Sequence, residues 1–120
     1  MQIQVFSDHN IHGHQSMKEY IEGAVEAAIG RFEDHITHVE VHVSDENGEK
    51  GGDKDIRCMV EARLKHQHPV AVTEHAAHLE QAVEGAADKM ASLLGKTLDR
   101  LKDLARHRSD PLPPSAVMET

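Results

Sequence analysis

The chain has 120 residues, of which 38% are hydrophobic and 2% aromatic, so it can bury one modest core. Its 21 acidic residues against 13 basic ones give a formal net charge of -8, which argues against a general nucleic-acid-binding protein. Neither a run of eighteen apolar residues nor an apolar signal core is present, so we expect a cytoplasmic protein with no membrane partner. The single cysteine, Cys58, excludes an internal disulfide and is expected in the core.

The first third of the chain predicts a strand followed by an amphipathic helix. Ile3 and Val5 alternate with glutamines, as in a half-buried strand, and a polar loop covers residues 7–15. Ser16 and Glu19 have the spacing of a capping box at a helix N-terminus. The apolar residues that follow recur at helical spacing: Met17, Tyr20, Ile21, Ala24, Val25, Ala28, Ile29 and Phe32.

Three strands are expected in the middle of the chain. Alternating valines over residues 39–43 and an alternating run over residues 56–65 flank a turn-forming stretch, which indicates two strands joined as a hairpin. Pro69 marks the next break, and residues 70–73 form a short β-branched run that fits an edge or returning strand.

A long helix is expected from about residue 76 to residue 106, where no proline intervenes. Its apolar stripe consists of Leu79, Val83, Ala86, Met90, Leu93, Leu94, Leu101 and Leu104. Residues 109–120 contain three prolines and no apolar period, so we expect a disordered C-terminal tail. Residues 1–108 should form one domain.

The fold class that follows is α/β, an α+β two-layer sandwich with the order β-α-β-β-β-α. Each strand has one apolar side, so both helices should cover the same side of a four-stranded sheet. The polar strand positions, among them Arg57, Arg63 and Lys65, should then point into solvent on the opposite side.

Positive charge is concentrated in one stretch of this acidic chain. Residues 88–108 carry six basic and three acidic residues, a net of +3, whereas residues 1–87 have a net charge of -9. Lys89, Lys96 and Arg100 are spaced i, i+7, i+11 and therefore fall on one line along the helix, which can follow a phosphate backbone. A solvated helix face, with Asp99 and Asp103 partly neutralising it, explains the same pattern equally well.

The element order, the opening Met1-Gln2-Ile3-Gln4-Val5, the segment Lys18-Glu19-Tyr20-Ile21 and the run Asp88-Lys89-Met90 resemble the hibernation-promoting and ribosome-associated inhibitor proteins. The resemblance spans about residues 1 to 106 and is to the short forms of that family, without a second domain. It implies a non-enzymatic stress protein that binds the small ribosomal subunit, against 16S-type rRNA in the channel for messenger and transfer RNA, and silences idle ribosomes.

By this resemblance, basic residues of the second helix contact ribosomal RNA. The candidate phosphate contacts are Lys89, Lys96, Arg100, Lys102 and Arg106, with Arg57, Arg63 and Lys65 as weaker candidates. The first helix departs from the family, because Glu22 and Glu26 stand in a segment where relatives carry lysines. An alternative function is therefore a protein-binding relative with little RNA affinity, which engages a basic partner or associates with itself.

Other chemistry has weaker support. Eleven histidines include His66, His68, His75 and His78, but their spacing matches no closed zinc site, and a pH-dependent contribution to RNA binding is the more plausible role. The glycines between the middle strands lack the context of a nucleotide loop, and no catalytic triad or carboxylate pair stands out. We expect no cofactor and no small-molecule substrate. The few aromatic residues predict no platform for stacking bases.

Overall fold

The computed structural model describes residues 1–8, 14–46 and 56–109, with the side chains of residues 14 and 107–109 left out. Its elements are β1 (Gln2–Ser7), α1 (His14–Ile29), a 3₁₀ segment (Gly30–His35), β2 (Ile36–Asp45), β3 (Ile56–Leu64), β4 (Val70–Ala76) and α2 (Leu79–Ser109). The predicted order and the two-layer fold class are confirmed. The predicted tail lies outside the described residues, apart from Ser109 at the end of α2.

The four strands form one sheet in the order β1-β2-β3-β4. β1 and β2 are parallel, which requires a crossover, and α1 with the 3₁₀ segment supplies it. The pairs β2–β3 and β3–β4 are antiparallel, so the predicted hairpin and the edge position of β4 are confirmed. β4 is longer than predicted, because it continues through Ala76.

Both helices cover the same side of the sheet and bury a single apolar core. Val39, Val41 and Val43 of β2 are at most 2% exposed, and Cys58, Val60 and Ala62 of β3 are fully buried. The helices contribute Met17, Ile21, Val25, Ile29, Ala82, Val83, Ala86, Ala87, Met90 and Leu94. The alternation in the strands and the helical period in α1 and α2 therefore identified the buried side of each element correctly.

The structure corrects four details. α1 begins at His14, so Ser16 lies inside the helix and cannot be its N-cap. Phe32 belongs to the 3₁₀ segment, because the α-helix ends at Ile29. α2 begins at Leu79, three residues after the predicted start. Leu104 is 48% exposed, because α2 extends beyond the sheet and its side chains from Lys102 to Arg106 meet no core.

Candidate nucleic-acid interface

The predicted line of cations on α2 is present. Lys89, Lys96 and Arg100 are all exposed, and the regular helix places them within about 40° of one direction over about 16 Å of axis. This line lies on the side of α2 that faces the edge strand β4, because the Lys89 side chain reaches β4. A row of cations of this length can follow several phosphates of an RNA backbone.

Lys89, however, is already engaged by the sheet. Its Nζ donates one hydrogen bond to the Thr73 carbonyl at 3.0 Å and a second to Glu74 Oε1 at 2.9 Å. The register pairs Glu74 with Cys58, so the carboxylate points to the helix-covered side, where α2 crosses the sheet edge. The hydrogen bond from Lys89 lowers the pKa of Glu74 and outweighs the opposing effect of burial.

Gly85 makes this arrangement possible. A Cβ added at this position would overlap the Glu74 side chain, with its Cγ 2.8 Å away. The absence of a side chain at Gly85 therefore lets the glutamate lie flat against α2, where it holds Lys89. The Lys89 ammonium is therefore already paired with a carboxylate in the protein alone. Lys96 and Arg100 form no ion pair with any other described residue. Of the three aligned cations, these two are therefore available to bind a phosphate.

The other two predicted α2 contacts lie elsewhere on the helix. At 100° per residue, Lys102 is roughly 140° and Arg106 roughly 100° away from the direction of Lys89. Lys102 lines a half-open cavity of about 480 Å³ at the end of the sheet, together with Arg31 of the 3₁₀ segment and Lys65. The five candidate contacts on α2 thus form two groups and not one.

Lys65 does not share the open side of the sheet with Arg57 and Arg63, which corrects the prediction. β3 ends at Leu64, so Lys65 lies in the β3–β4 turn. Its backbone N–H donates a hydrogen bond of 3.0 Å to the His35 carbonyl. This bond ties the turn to the 3₁₀ segment and brings the Lys65 side chain to the cavity that Lys102 also lines.

Arg57 and Arg63 do lie on the open side of the sheet, facing away from the helices. Each is near a carboxylate, with Arg57 Nε 3.8 Å from Glu46 and Arg63 Nε 3.6 Å from Glu61. Between them on β2, Glu40 accepts hydrogen bonds from both His38 and His42, at 3.1 and 3.2 Å. These two hydrogen bonds lower the pKa of Glu40, and the bond from His42 has the larger effect. This surface has mixed charge.

An aromatic pair also lies on the open side, where the low aromatic content predicted none. Phe6 of β1 and His42 of β2 are opposite each other in the register, and their rings stack with centroids 4.8 Å apart. Phe6 is 44% exposed. The alternation in residues 2–6 is enough to place Phe6 on the polar side of β1. It does not identify His42 as the stacking partner, because that depends on the register between β1 and β2.

Charge is unevenly distributed over the described part of the molecule. We define the basic end as residues 30–35, 63–69 and 95–106, which the cavity brings together. It carries seven Lys and Arg residues against four Asp and Glu residues, a net of +3. The remaining described residues carry four against twelve, a net of -8. Arg31 was missed from the sequence, because nothing local indicated that the 3₁₀ segment meets the second half of α2.

The outer side of the helical layer is acidic. Glu80, Glu84 and Asp88 are exposed at intervals of four on α2, and Glu84 and Asp88 lie beside Ala24, Ala27 and Ala28 of α1. Tyr20 links the helices by donating a hydrogen bond of 3.1 Å to Glu84 Oε1. Burial and this carboxylate raise the pKa of Tyr20. Negative charge of this kind repels phosphates from the outer side of the helical layer.

No site for metal chemistry emerges from the described residues. Among them there is no group of three or more His, Cys, Asp or Glu side chains arranged to hold an ion. His75 lies 3.5 Å from Glu46, away from His66 and His68 in the β3–β4 turn. No helix in the described ranges is both long enough and apolar enough to span a bilayer.

Comparison with known proteins gives the following similarities. Residues 4–102 match the profile of the family described as Sigma 54 modulation protein / S30EA ribosomal protein. The N-terminal domain of Protein Y from Thermus thermophilus superposes with a TM-score of 0.65 at 20% identity, over 81% of this chain and 99% of that one. A ribosomal subunit interface protein from Coxiella burnetii gives 0.63 at 15% identity, over 82% and 99%. No curated protein matches the sequence significantly.

Proposed function

Because the chain belongs to the Sigma 54 modulation protein / S30EA ribosomal protein family, which is ribosome-associated, we propose that it binds the small ribosomal subunit and silences idle ribosomes during stress. The binding site we propose is 16S-type rRNA in the channel for messenger and transfer RNA, which places the protein in the cytoplasm. The observation that carries the proposal is the charge separation: a chain of net charge -8 keeps a +3 end.

Lys96 and Arg100 are the principal phosphate contacts in this proposal. Both are exposed, and neither is paired with a carboxylate among the described residues, so RNA binding displaces only counterions. Lys102 and Arg106 extend the contact around the C-terminal part of α2. Lys89 adds less, because its ammonium already donates to Glu74 and Thr73. Arg57 and Arg63 add least, because each lies near a carboxylate on the other side of the sheet.

Sucrose-gradient sedimentation with purified ribosomes tests this ranking. We expect the wild type to co-sediment at low salt and the double variant Lys96→Glu/Arg100→Glu to lose most of its binding. The logarithm of the binding constant falls linearly with the logarithm of the salt concentration. The slope of this line should become shallower by about two in the variant, because two phosphate contacts are lost.

The matched comparison is Arg57→Glu/Arg63→Glu, which changes the net charge equally on the opposite side of the sheet. A purely non-specific effect of charge predicts equal losses from the two double variants. Equal losses, or full binding by the α2 variant, would overturn the assignment of Lys96 and Arg100. Inhibition of cell-free translation by the wild type, and less by the α2 variant, is the corresponding functional result.

The acidic outer side of the helical layer favours one alternative, a relative that binds a basic protein or itself. If RNA docked on this surface, its phosphates would approach these carboxylates and be repelled by them. Failure of the wild type to co-sediment even at low salt would support this alternative. Sedimentation equilibrium of the purified protein would then measure self-association, which Glu80→Gln/Glu84→Gln should alter if this surface forms the contact.

A further inference from the structure

The cavity at the basic end has the composition of a small-molecule site. It measures about 480 Å³, within the usual range of ligand pockets, and its floor includes the half-buried side chains of Phe32, Leu98 and Leu101. Its rim carries Arg31, Lys65 and Lys102, with Asp99 as the single carboxylate of the lining. Such a site accepts a ligand with an apolar planar body and a negative group.

Three rim cations have no structural role as ion-pair partners within the described part of the chain. No carboxylate lies within ion-pair distance of Lys65, Lys102 or Arg31 there, although the protein has an excess of acidic residues. The Arg31 guanidinium lies over the Phe32 ring, with Cζ 4.5 Å from the centroid, and so presents a flat outer surface. Planar guanidinium groups and aromatic rings are the surfaces on which unstacked bases lie in proteins that read RNA.

The cavity wall is held in place by the backbone. The Lys65 N–H donates to the His35 carbonyl, and the Gln67 N–H donates to the Leu64 carbonyl at 3.4 Å, which closes the β3–β4 turn. His66, between Lys65 and Gln67, has a φ of 62°, a conformation that non-glycine residues rarely adopt. This turn directs both flanking residues into the lining of the cavity. A strained backbone conformation of this kind persists only where the surrounding structure holds it, and such positions are often found at ligand sites.

We propose that this cavity binds one unstacked nucleotide of the bound RNA, with the base on the apolar floor and the phosphate at Lys65 and Lys102. The inference rests on the proposed ribosome binding, because Lys102 of the cavity rim is on the same helix as the proposed phosphate contacts Lys96 and Arg100. Lys102 lies about 3 Å beyond Arg100 along the helix axis and about 160° around it, so an RNA strand that contacts both residues passes around the C-terminal part of α2. A free nucleoside polyphosphate fits less well, because the lining contains one glycine and no glycine-rich loop.

Nuclear magnetic resonance of the labelled full chain tests the site without ribosomes. Adenosine and uridine 5′-monophosphates should shift the amide signals of Phe32, Lys65 and Leu98. Adenosine alone and ribose 5-phosphate alone should each bind about tenfold more weakly, because each lacks one half of the recognised unit. Shifts confined to other parts of the protein, or no shifts, would overturn the proposal.

Charge-reversal variants and a short RNA test whether the cavity recognises a nucleotide that belongs to an RNA strand. Lys65→Glu/Lys102→Glu should weaken nucleotide binding about tenfold or more, whereas Lys18→Glu/Arg57→Glu, of equal charge change and outside the basic end, should leave it within about twofold. A tetranucleotide RNA should bind more tightly than the monophosphate, and one abasic unit in it should remove the shifts in the cavity. A tetranucleotide no tighter than the monophosphate, or a stronger response to a short acidic peptide, would overturn the assignment to RNA.

Co-sedimentation with ribosomes keeps the two proposals distinguishable. Nucleotide binding without ribosome binding would overturn the proposed function and leave a nucleotide site. Ribosome binding without a nucleotide response in the cavity would leave the proposed function intact and overturn this inference.

Discussion

Replacing Gly85 with alanine should break the ion pair between Lys89 and Glu74. The new Cβ would overlap the Glu74 side chain, 2.8 Å from Cγ and 3.0 Å from Cδ. Glu74 is partly exposed, with 30% of its side chain accessible, so it can rotate away instead of forcing the helix off the sheet. Its carboxylate then leaves the Lys89 Nζ, and the ammonium keeps only the Thr73 carbonyl.

Two opposing effects set the magnitude. Alanine in a helix interior is favoured over glycine by about 0.5–1 kcal/mol. Loss of a pair as exposed as Lys89–Glu74 costs about 0.2–1 kcal/mol. Gly95→Ala is the matched control, because Gly95 is also inside α2 and nothing lies within 4 Å of its added Cβ. We therefore expect the Gly95 variant to gain stability, and the Gly85 variant to be less stable than it by about 0.2–1 kcal/mol.

Urea denaturation of both variants and carbon-detected titration of Glu74 test this prediction. The Lys89 hydrogen bond lowers the folded-state pKa of Glu74, so its contribution is present above the ordinary glutamate pKa and is lost as pH falls through the lowered value. The stability difference between the variants should accordingly shrink at acidic pH, and the pKa of Glu74 should rise towards its ordinary value in the Gly85 variant. A Gly85 variant as stable as the control, with the pKa of Glu74 still lowered, would refute the reasoning.

Three further predictions concern the core and the contact between the helices. Leu94 is fully buried, so Leu94→Ala should lower the free energy of unfolding by about 2–5 kcal/mol in urea denaturation, and a loss below about 1 kcal/mol would contradict its central position. Burial raises the pKa of Cys58 to about 12, so at pH 8 a thiol reagent should modify it only at the rate of unfolding, and fast labelling of the native protein would show an open core. Tyr20→Phe removes the donor to Glu84 and should cost at most about 1.5 kcal/mol, and near-ultraviolet titration of the wild type should find the phenol ionising above its ordinary pKa.

Most of the fold was predictable from the sequence, because its strands alternate and its helices keep an apolar period over several turns. The errors fall at the ends of elements, where local signals conflict. Ser16 and Glu19 have the capping-box spacing, yet α1 continues N-terminally to His14. Phe32 keeps the helical period of α1 although the backbone tightens into a 3₁₀ segment, because packing against the core decides that change.

The candidate site was predictable only in part. Exposure and alignment of Lys89, Lys96 and Arg100 follow from helix geometry alone. The ion pair between Lys89 and Glu74 does not follow from helix geometry, because it depends on the register of β4 and on the absence of a side chain at Gly85. The cavity likewise unites three elements that are distant in the sequence. Tertiary contacts of this kind leave no local pattern.

The distribution of charge suggests how an acidic protein approaches RNA. The +3 end and the -8 remainder of the described residues give the molecule a strong electrostatic asymmetry, which turns the basic end towards phosphates before contact. Glu80, Glu84 and Asp88 on the other side of α2 would be repelled if the molecule docked through the outer helical surface. Reversing the charge at Lys96 and Arg100 weakens that asymmetry as well as the contact. The variant should therefore bind more slowly at low salt, and an unchanged association rate would show that steering plays no part.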